Sequence, residues 1–238
     1  WWDPAALHLD AEPPFGLRRQ ELISKDVSPD VVAEGERRYI AWRQRREQAI
    51  AAGAVPSINV RTATEWASRD AGSIATIGDC DVAVVSLPAD GGRPAGPRYG
   101  TLVHATLATV PLDAAPDVIT AMARMQGRIV GATEPEIESA VSVAAAVLAH
   151  PLLSAAREAA QAGRLLRETP VATTVEGELV EGVVDLAFDD GASVTVIDFK
   201  TDRELEGAMD TYRRQVQIYA HAIALATGRP TRGVLMKI

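Results

Sequence analysis

One cysteine in 238 residues, Cys80, removes several possibilities at once. It excludes an internal disulfide framework, a zinc ribbon and a four-cysteine iron–sulfur cluster, each of which needs a set of thiols. It also suits a reducing compartment, so a cytoplasmic location is expected. Four histidines supply no histidine-rich ligand set. No apolar run approaches the ~20 residues that span a bilayer, so no membrane partner is expected. No charged segment followed by an apolar one opens the chain as a secretory leader would. No glycine-rich phosphate loop of the Walker type is present, so no ATP site is expected in these residues. Positive charge is also short: 24 Lys and Arg against 32 Asp and Glu leave a net charge of −8. Phosphate affinity scales with the cations offered, so tight electrostatic DNA binding by this chain alone is not expected. The chain opens on Trp1 and reads as a piece of something longer.

What is present falls into two unequal parts. Residues 1–94 read as an irregular extension containing one helix, "DVVAEGERRYIAWRQRREQAIAAG". Tyr39 and Trp42 lie on one side of it, with Arg37, Arg38, Arg43, Arg45 and Arg46 around it, and Gly53 and Pro56 stop it. That arginine cluster is either a solvated helix face or a nucleic-acid contact. A short strand, "VAVVSL", follows, and the Pro/Gly-rich "PADGGRPAGPR" marks a boundary. Residues 95–238 are more regular. Helical patterns run through "GTLVHATLATV", "DVITAMARMQGRIVGA" and "EPEIESAVSVAAAVLAH", and a further helix follows Pro151 to about Ala162. The period then changes to β-branched runs, "RLLRETPVATTV", "ELVEGVVDLAF" and "SVTVIDFK", divided by the turn signals "EG" and "DDGA". A helix over roughly residues 205–227 ends at Gly228, and "GVLMKI" closes as a strand. The expected fold class is α/β, a mixed sheet flanked by helices.

Charge in the strands is the informative feature. Asp185 and Asp198 each sit in an apolar run, where an unpaired charge costs several kcal/mol. Alternation puts Asp198 and Lys200 on one face, with Phe199 turned away. The turn around residues 189–192 brings the strand of Asp185 beside that of Asp198. Two close carboxylates repel unless a cation fills the gap. Oxygen ligands select hard ions, so Mg²⁺ or Mn²⁺ is expected. Such an ion polarises a phosphoryl oxygen and lowers the pKa of water.

"GVVDLAF…VTVIDFKTD" resembles the metal-binding core of the PD-(D/E)XK nuclease superfamily, in its RecB/AddA-type branch. "GTLVHA" with His104 resembles that branch's upstream histidine helix, and "RETPV" with Glu168 its first acidic strand. "QVQIY", with Gln215 and Tyr219, resembles its Q-x-x-x-Y signature. The opening "WWDP" and "YIAWRQRR" resemble, less specifically, the connector that follows the motor of UvrD-like helicases with a nuclease tail. The resemblance implies a restriction-endonuclease-like core, with residues 1–94 as connector and 95–238 as nuclease domain. It implies hydrolysis of DNA phosphodiesters by in-line attack of metal-activated water, leaving a 5′-phosphate and a 3′-hydroxyl. Asp185, Asp198, the Phe199 carbonyl and His104 would hold the metal. Lys200 would orient the nucleophile and stabilise charge, and Glu168 would assist. Gln215 and Tyr219, one helical turn apart, either orient catalytic groups or DNA or simply pack the helix on the sheet. The implied partners are DNA, a helicase motor of the same parent chain and a second helicase–nuclease subunit, in DNA repair and recombination. Exonuclease action is expected in the full-length setting. The rival reading is a catalytically silent nuclease fold retained to bind DNA or to hold subunits together.

Overall fold

The computed structural model describes residues 27–69, 77, 80–88, 92–201 and 207–238. The chain divides into two compact units, Trp1–Ser57 and Ile58–Ile238. "WWDP", Asp202 and Leu205 lie outside the described residues, as does the middle of the Pro/Gly-rich connector.

In the first unit, helix α1 covers Pro29–Gly53. Proline within its first turn has no N–H to lose there, which suits a helix start. The Tyr39 and Trp42 rings lie 5.8 Å apart along one side. Two of the five arginines meet acids within the helix, Arg37 with Glu34 at 2.8 Å and Arg43 with Glu47 at 3.7 Å.

The second unit is a mixed α/β domain. In order it comprises β1 (Val60–Thr62), α2 (Ala63–Ala67), β2 (Val82–Ser86), α3 (Pro97–Thr109), α4 (Pro116–Val130), α5 (Glu134–Ala149), α6 (Pro151–Gln161), β3 (Leu165–Val175), β4 (Glu178–Asp189), β5 (Val194–Lys200), α7 (Met209–Thr227) and β6 (Thr231–Lys237). Local chemistry accounts for the boundaries. Thr62 and Glu65 close a reciprocal cap at the start of α2. His150 Nδ1 accepts from the Leu152 N–H, capping α6, so this histidine has a structural task. Gly131 and Gly228 end α4 and α7 in the left-handed region, where a Cβ is penalised.

β3 and β4 form an antiparallel hairpin, β5 adds antiparallel to β4, and β6 and β2 continue in parallel. β1 and α2 are additions that periodicity does not signal, and both β1 and β2 come from before residue 95. The clasp on β1 is electrostatic: Glu178 accepts from Arg61 at 3.1 Å and from Arg69 at 2.6 Å. Helices α3 to α6 cover one face of the sheet, over Leu186, Phe188, Ile197, Phe199, Val234 and Met236. α2 and α7 cover the other, over Val184, Ala187, Val194 and Val196. No single helix among the described residues is long and apolar enough to cross a membrane. The bent pair α5–α6 passes such a test by composition only, and its apolar side is committed to the core.

Two features of β4 prepare the site. β3 takes one edge along its whole length, whereas the other edge is shared: β1 pairs with residues 179–181 and β5 with residues 186–189. Among the described residues, no strand pairs with 182–185 on that edge. Strict alternation would also send Val184 and Leu186 to the same face. They enter different cores, Val184 with α2 and α7 and Leu186 with α3 to α6. The hairpin therefore rotates its faces between them, at the level of Asp185. Its partner position across the hairpin is Glu168, where the ladder skips a pair and the backbone takes φ 44°. A non-glycine residue there is strained by about 1–2 kcal/mol.

Candidate active site

The site forms where β4 and β5 stop pairing. Leu186 and Ile197 are the last partners of that ladder, so Asp185 and Asp198 occupy the next positions in register. Instead of a backbone bond, the Phe199 N–H donates to Asp185 Oδ2 at 2.7 Å. The Phe199 ring packs into the core beneath α3 to α6. Its neighbours in sequence, Asp198 and Lys200, point to the other face.

Asp198 is 2% exposed, and its Oδ2 lies 2.7 Å from Lys200 Nζ. The pair is held under α7, where the Tyr212 ring centroid is 5.0 Å from the ammonium, within cation–π reach. Burial pushes the Asp198 carboxyl up to about 6, against the pull of Lys200, and the charge of Asp185 adds to the rise. Lys200 also moves up: its burial opposes charge, but the attraction of Asp198 outweighs it. Both partners shift upward, for opposite reasons.

From the other face, α3 brings His104, whose Nδ1 is 3.6 Å from Asp185 Oδ1. Burial works against a charged imidazole here, yet Asp185 outweighs it and raises the His104 pKa. Glu168 is pushed up by burial and then by the charge of Asp185, so it senses the same field. Arg167, next in sequence, fixes the height of α3 by donating to the Val110, Ala108 and Leu107 carbonyls at 2.6, 3.3 and 3.4 Å. His104, Glu168 and Lys200 line one cleft of about 700 Å³.

Gln215 and Tyr219 lie on α7, both buried, with Gln215 Nε2 donating to Tyr219 Oη at 2.7 Å. Gly182 makes room for that ring. A Cβ there would meet Tyr219 Cε1 at 2.5 Å and Oη at 2.9 Å. Gly182, Tyr212 and Arg167 are not among the groups that the strand charges and motifs point to. A lone glycine inside a strand does signal a close approach, and Tyr212 shares the α7 face of Gln215 and Tyr219 by its spacing.

Among the described residues, three carboxylates, Asp185, Asp198 and Glu168, thus share the site with one ammonium. The excess negative charge and the hard oxygen donors, with one imidazole, suit Mg²⁺ or Mn²⁺ chemically. As they stand, Asp185 and Asp198 are occupied by the chain's own groups. Among the described residues no three His, Cys, Asp or Glu side chains gather closely enough to enclose a metal.

A protein-family model described as the PD-(D/E)XK nuclease superfamily matches residues 83–237, a stretch that contains every one of these groups. An ATP-dependent helicase/nuclease subunit of Desulforamulus reducens is 29% identical over 154 residues. That match takes in 56% of this chain and 12% of the relative, so the chain corresponds to a small part of that protein's length.

Proposed function

The chain belongs to the PD-(D/E)XK nuclease superfamily, and from that premise we propose that it hydrolyses DNA phosphodiester bonds with a divalent metal. The observation that carries this reading is the buried Asp198–Lys200 pair at 2.7 Å, set beside Asp185 and His104 where two strands part. Burying a carboxylate to 2% exposure next to a second acid is costly for folding alone. Catalysis gives that cost a purpose.

Asp185, Asp198, the Phe199 carbonyl and His104 would hold Mg²⁺ or Mn²⁺. A cation there supplies Lewis acidity toward a phosphoryl oxygen and lowers the pKa of water. Lys200, steadied by Asp198 and the Tyr212 ring, places one ammonium where negative charge develops. Glu168, whose carboxyl is pushed up by burial and by the charge of Asp185, would assist at the cleft through the water shell of the cation or a second ion. Gln215 and Tyr219 fix the wall behind Asp185 through the packing of the ring on Gly182.

The similarity to part of a helicase/nuclease subunit supports a wider proposal. Residues 1–94 act as the connector after a helicase motor, lending β1 and β2 to the sheet, and residues 95–238 form the nuclease domain. DNA is the substrate. The partners are the motor of the same parent chain and a second subunit, and repair or recombination in the cytoplasm is the setting. Exonuclease action belongs to the full-length protein.

Two observations favour the silent-module alternative: Asp185 accepts from the chain's own backbone while Asp198 is ion-paired with Lys200, and no metal cage is gathered among the described residues. Cleavage of plasmid and end-labelled single-stranded DNA, with Mg²⁺, Mn²⁺ or EDTA, decides between the two. Metal-dependent products that vanish in Asp198→Ala establish the nuclease. Intact DNA in every metal overturns the nuclease reading.

A further inference from the structure

The cleft has a second wall, from α3 and α4, whose polar groups besides His104 are Thr101, Thr109 and Gln126. Both threonine hydroxyls donate to helix carbonyls one turn back. Thr101 Oγ1 reaches Pro97 O at 2.9 Å and Thr109 Oγ1 reaches Ala105 O at 2.7 Å. A hydroxyl carries one proton, so neither has one left to offer. Gln126 differs. It is 8% exposed yet lines the cleft, and its hydrogen bond to Thr109 Oγ1 is long, 3.4 Å from Nε2. A primary amide has two N–H donors and one acceptor oxygen, which leaves a donor for the cleft. The depth of this side chain is set by its neighbour. A Cβ on Gly127 would lie 2.6 Å from Ile137 Cδ1 and Cγ1, so the bare glycine seats α4 tightly on α5.

We propose that Gln126 holds the DNA strand by donating a hydrogen bond to a phosphate oxygen beside the bond to be cut, an inference that rests on the nuclease reading. The charge balance explains why an amide stands here. Among the described residues, Glu168, Asp185 and Asp198 face one ammonium in this site, and a further lysine or arginine on the second wall would be drawn to those acids. A neutral donor is not captured and stays available to the phosphate. Side-chain amides are ordinary phosphate donors and carry no sequence information. A neutral group releases no counterions, so its contribution is independent of salt.

The test compares wild type, Gln126→Met and Gln126→Glu in the full-length protein. Binding of a fluorescein-labelled single-stranded oligonucleotide is followed by anisotropy in Ca²⁺, and cleavage kinetics in Mn²⁺. In the methionine variant, Kd and KM rise roughly tenfold, as losing a hydrogen bond to a charged group implies. The value of kcat stays within about twofold, because the contact is uniform between ground and transition states. The salt slope of binding is unchanged. In the glutamate variant the loss is larger and shrinks as added salt screens the repulsion. Gln126→Met matches the glutamine in size and carries the test if the glutamate variant unfolds. A methionine variant with wild-type Kd and KM overturns the proposal, as does a wild type that binds no oligonucleotide. A wild type that binds, weakens on substitution and never cleaves overturns the nuclease reading while supporting the contact.

Discussion

The Phe199 backbone N–H donates to the Asp185 carboxylate at 2.7 Å across the gap where β4 and β5 cease to pair. Asp185 therefore both straps two strands and offers its other oxygen to the site. The two tasks separate by substitution. Asp185→Asn keeps an acceptor for Phe199 but loses the charge. Titration calorimetry should show Mn²⁺ affinity lowered at least about tenfold, with Tm within a few degrees of wild type. Asp185→Ala loses the strap as well, leaves a buried N–H unpaired and costs roughly 1–3 kcal/mol in denaturant unfolding. An asparagine variant with full Mn²⁺ affinity would remove Asp185 from the metal site.

Lys200→Met tests the buried pair. Removing the ammonium leaves Asp198 buried without its partner and driven to take up a proton, and breaking a fully buried pair costs about 3–5 kcal/mol. Lys200 is 12% exposed at its side chain, so a value toward the lower end is expected in metal-free unfolding experiments. Added Mn²⁺ should return part of that stability by mass action. Cleavage should stay lost at every metal concentration. Unchanged stability together with normal cleavage would mean that Lys200 serves neither purpose.

The Asp198 carboxyl gives a pH signature with a definite sign. Its pKa is raised from 3.8 in the unfolded chain to about 6 when folded. The folded state then binds this proton more tightly, so its contribution is full below 3.8 and is lost as pH rises through about 6. Asp198→Asn removes the titration. In metal-free protein, the stability difference between variant and wild type should move in favour of asparagine from pH 4 to pH 7. The size is on the order of 2 to 3 kcal/mol. A pH-independent difference, measured by urea unfolding, would show that Asp198 does not titrate this way.

Gly182→Ala should disturb the site from behind. The added methyl meets the Tyr219 ring at 2.5 Å, closer than any real contact, so the ring must move. Its bond from Gln215 is then lost. Overpacking of this kind costs about 1–3 kcal/mol. Cleavage should fall by more than the loss of folded protein explains, and Tyr219→Phe should keep the packing with a smaller loss. An alanine variant with wild-type rate would confine Tyr219 to the core.

His104→Ala should weaken Mn²⁺ binding more than Mg²⁺ binding, because nitrogen suits the softer ion. Higher metal concentration should recover cleavage in part, with the circular dichroism spectrum unchanged. Equal affinities for both ions in variant and wild type would return His104 to a packing role.

Much of this site is written in local sequence. Asp185, Asp198 and Lys200 stand out because acids inside β-branched runs have no packing explanation. The order of elements from α3 to β6 follows from periodicity and from glycine and proline punctuation, which act within a few residues. The segment before α7, including Leu205, lies outside the described residues, and the helix itself begins at Met209. Other features are silent in the sequence because they depend on what packs over a residue. β1 spans three residues and α2 five, too short for either period to register. Their attachment rests on Glu178 meeting Arg61 and Arg69 from more than a hundred residues away. Alternation sends Val184 and Leu186 to one face, and only the two helical layers pull them into different cores. That rotation, at Asp185 and the strained Glu168, lets a histidine from one face of the sheet and a lysine from the other reach a single cleft. The sequence alone determined which groups bear charge and in which elements they lie. The tertiary structure decided that they meet, because a gap between strands forms only where neighbouring strands and helices compete for the same edge.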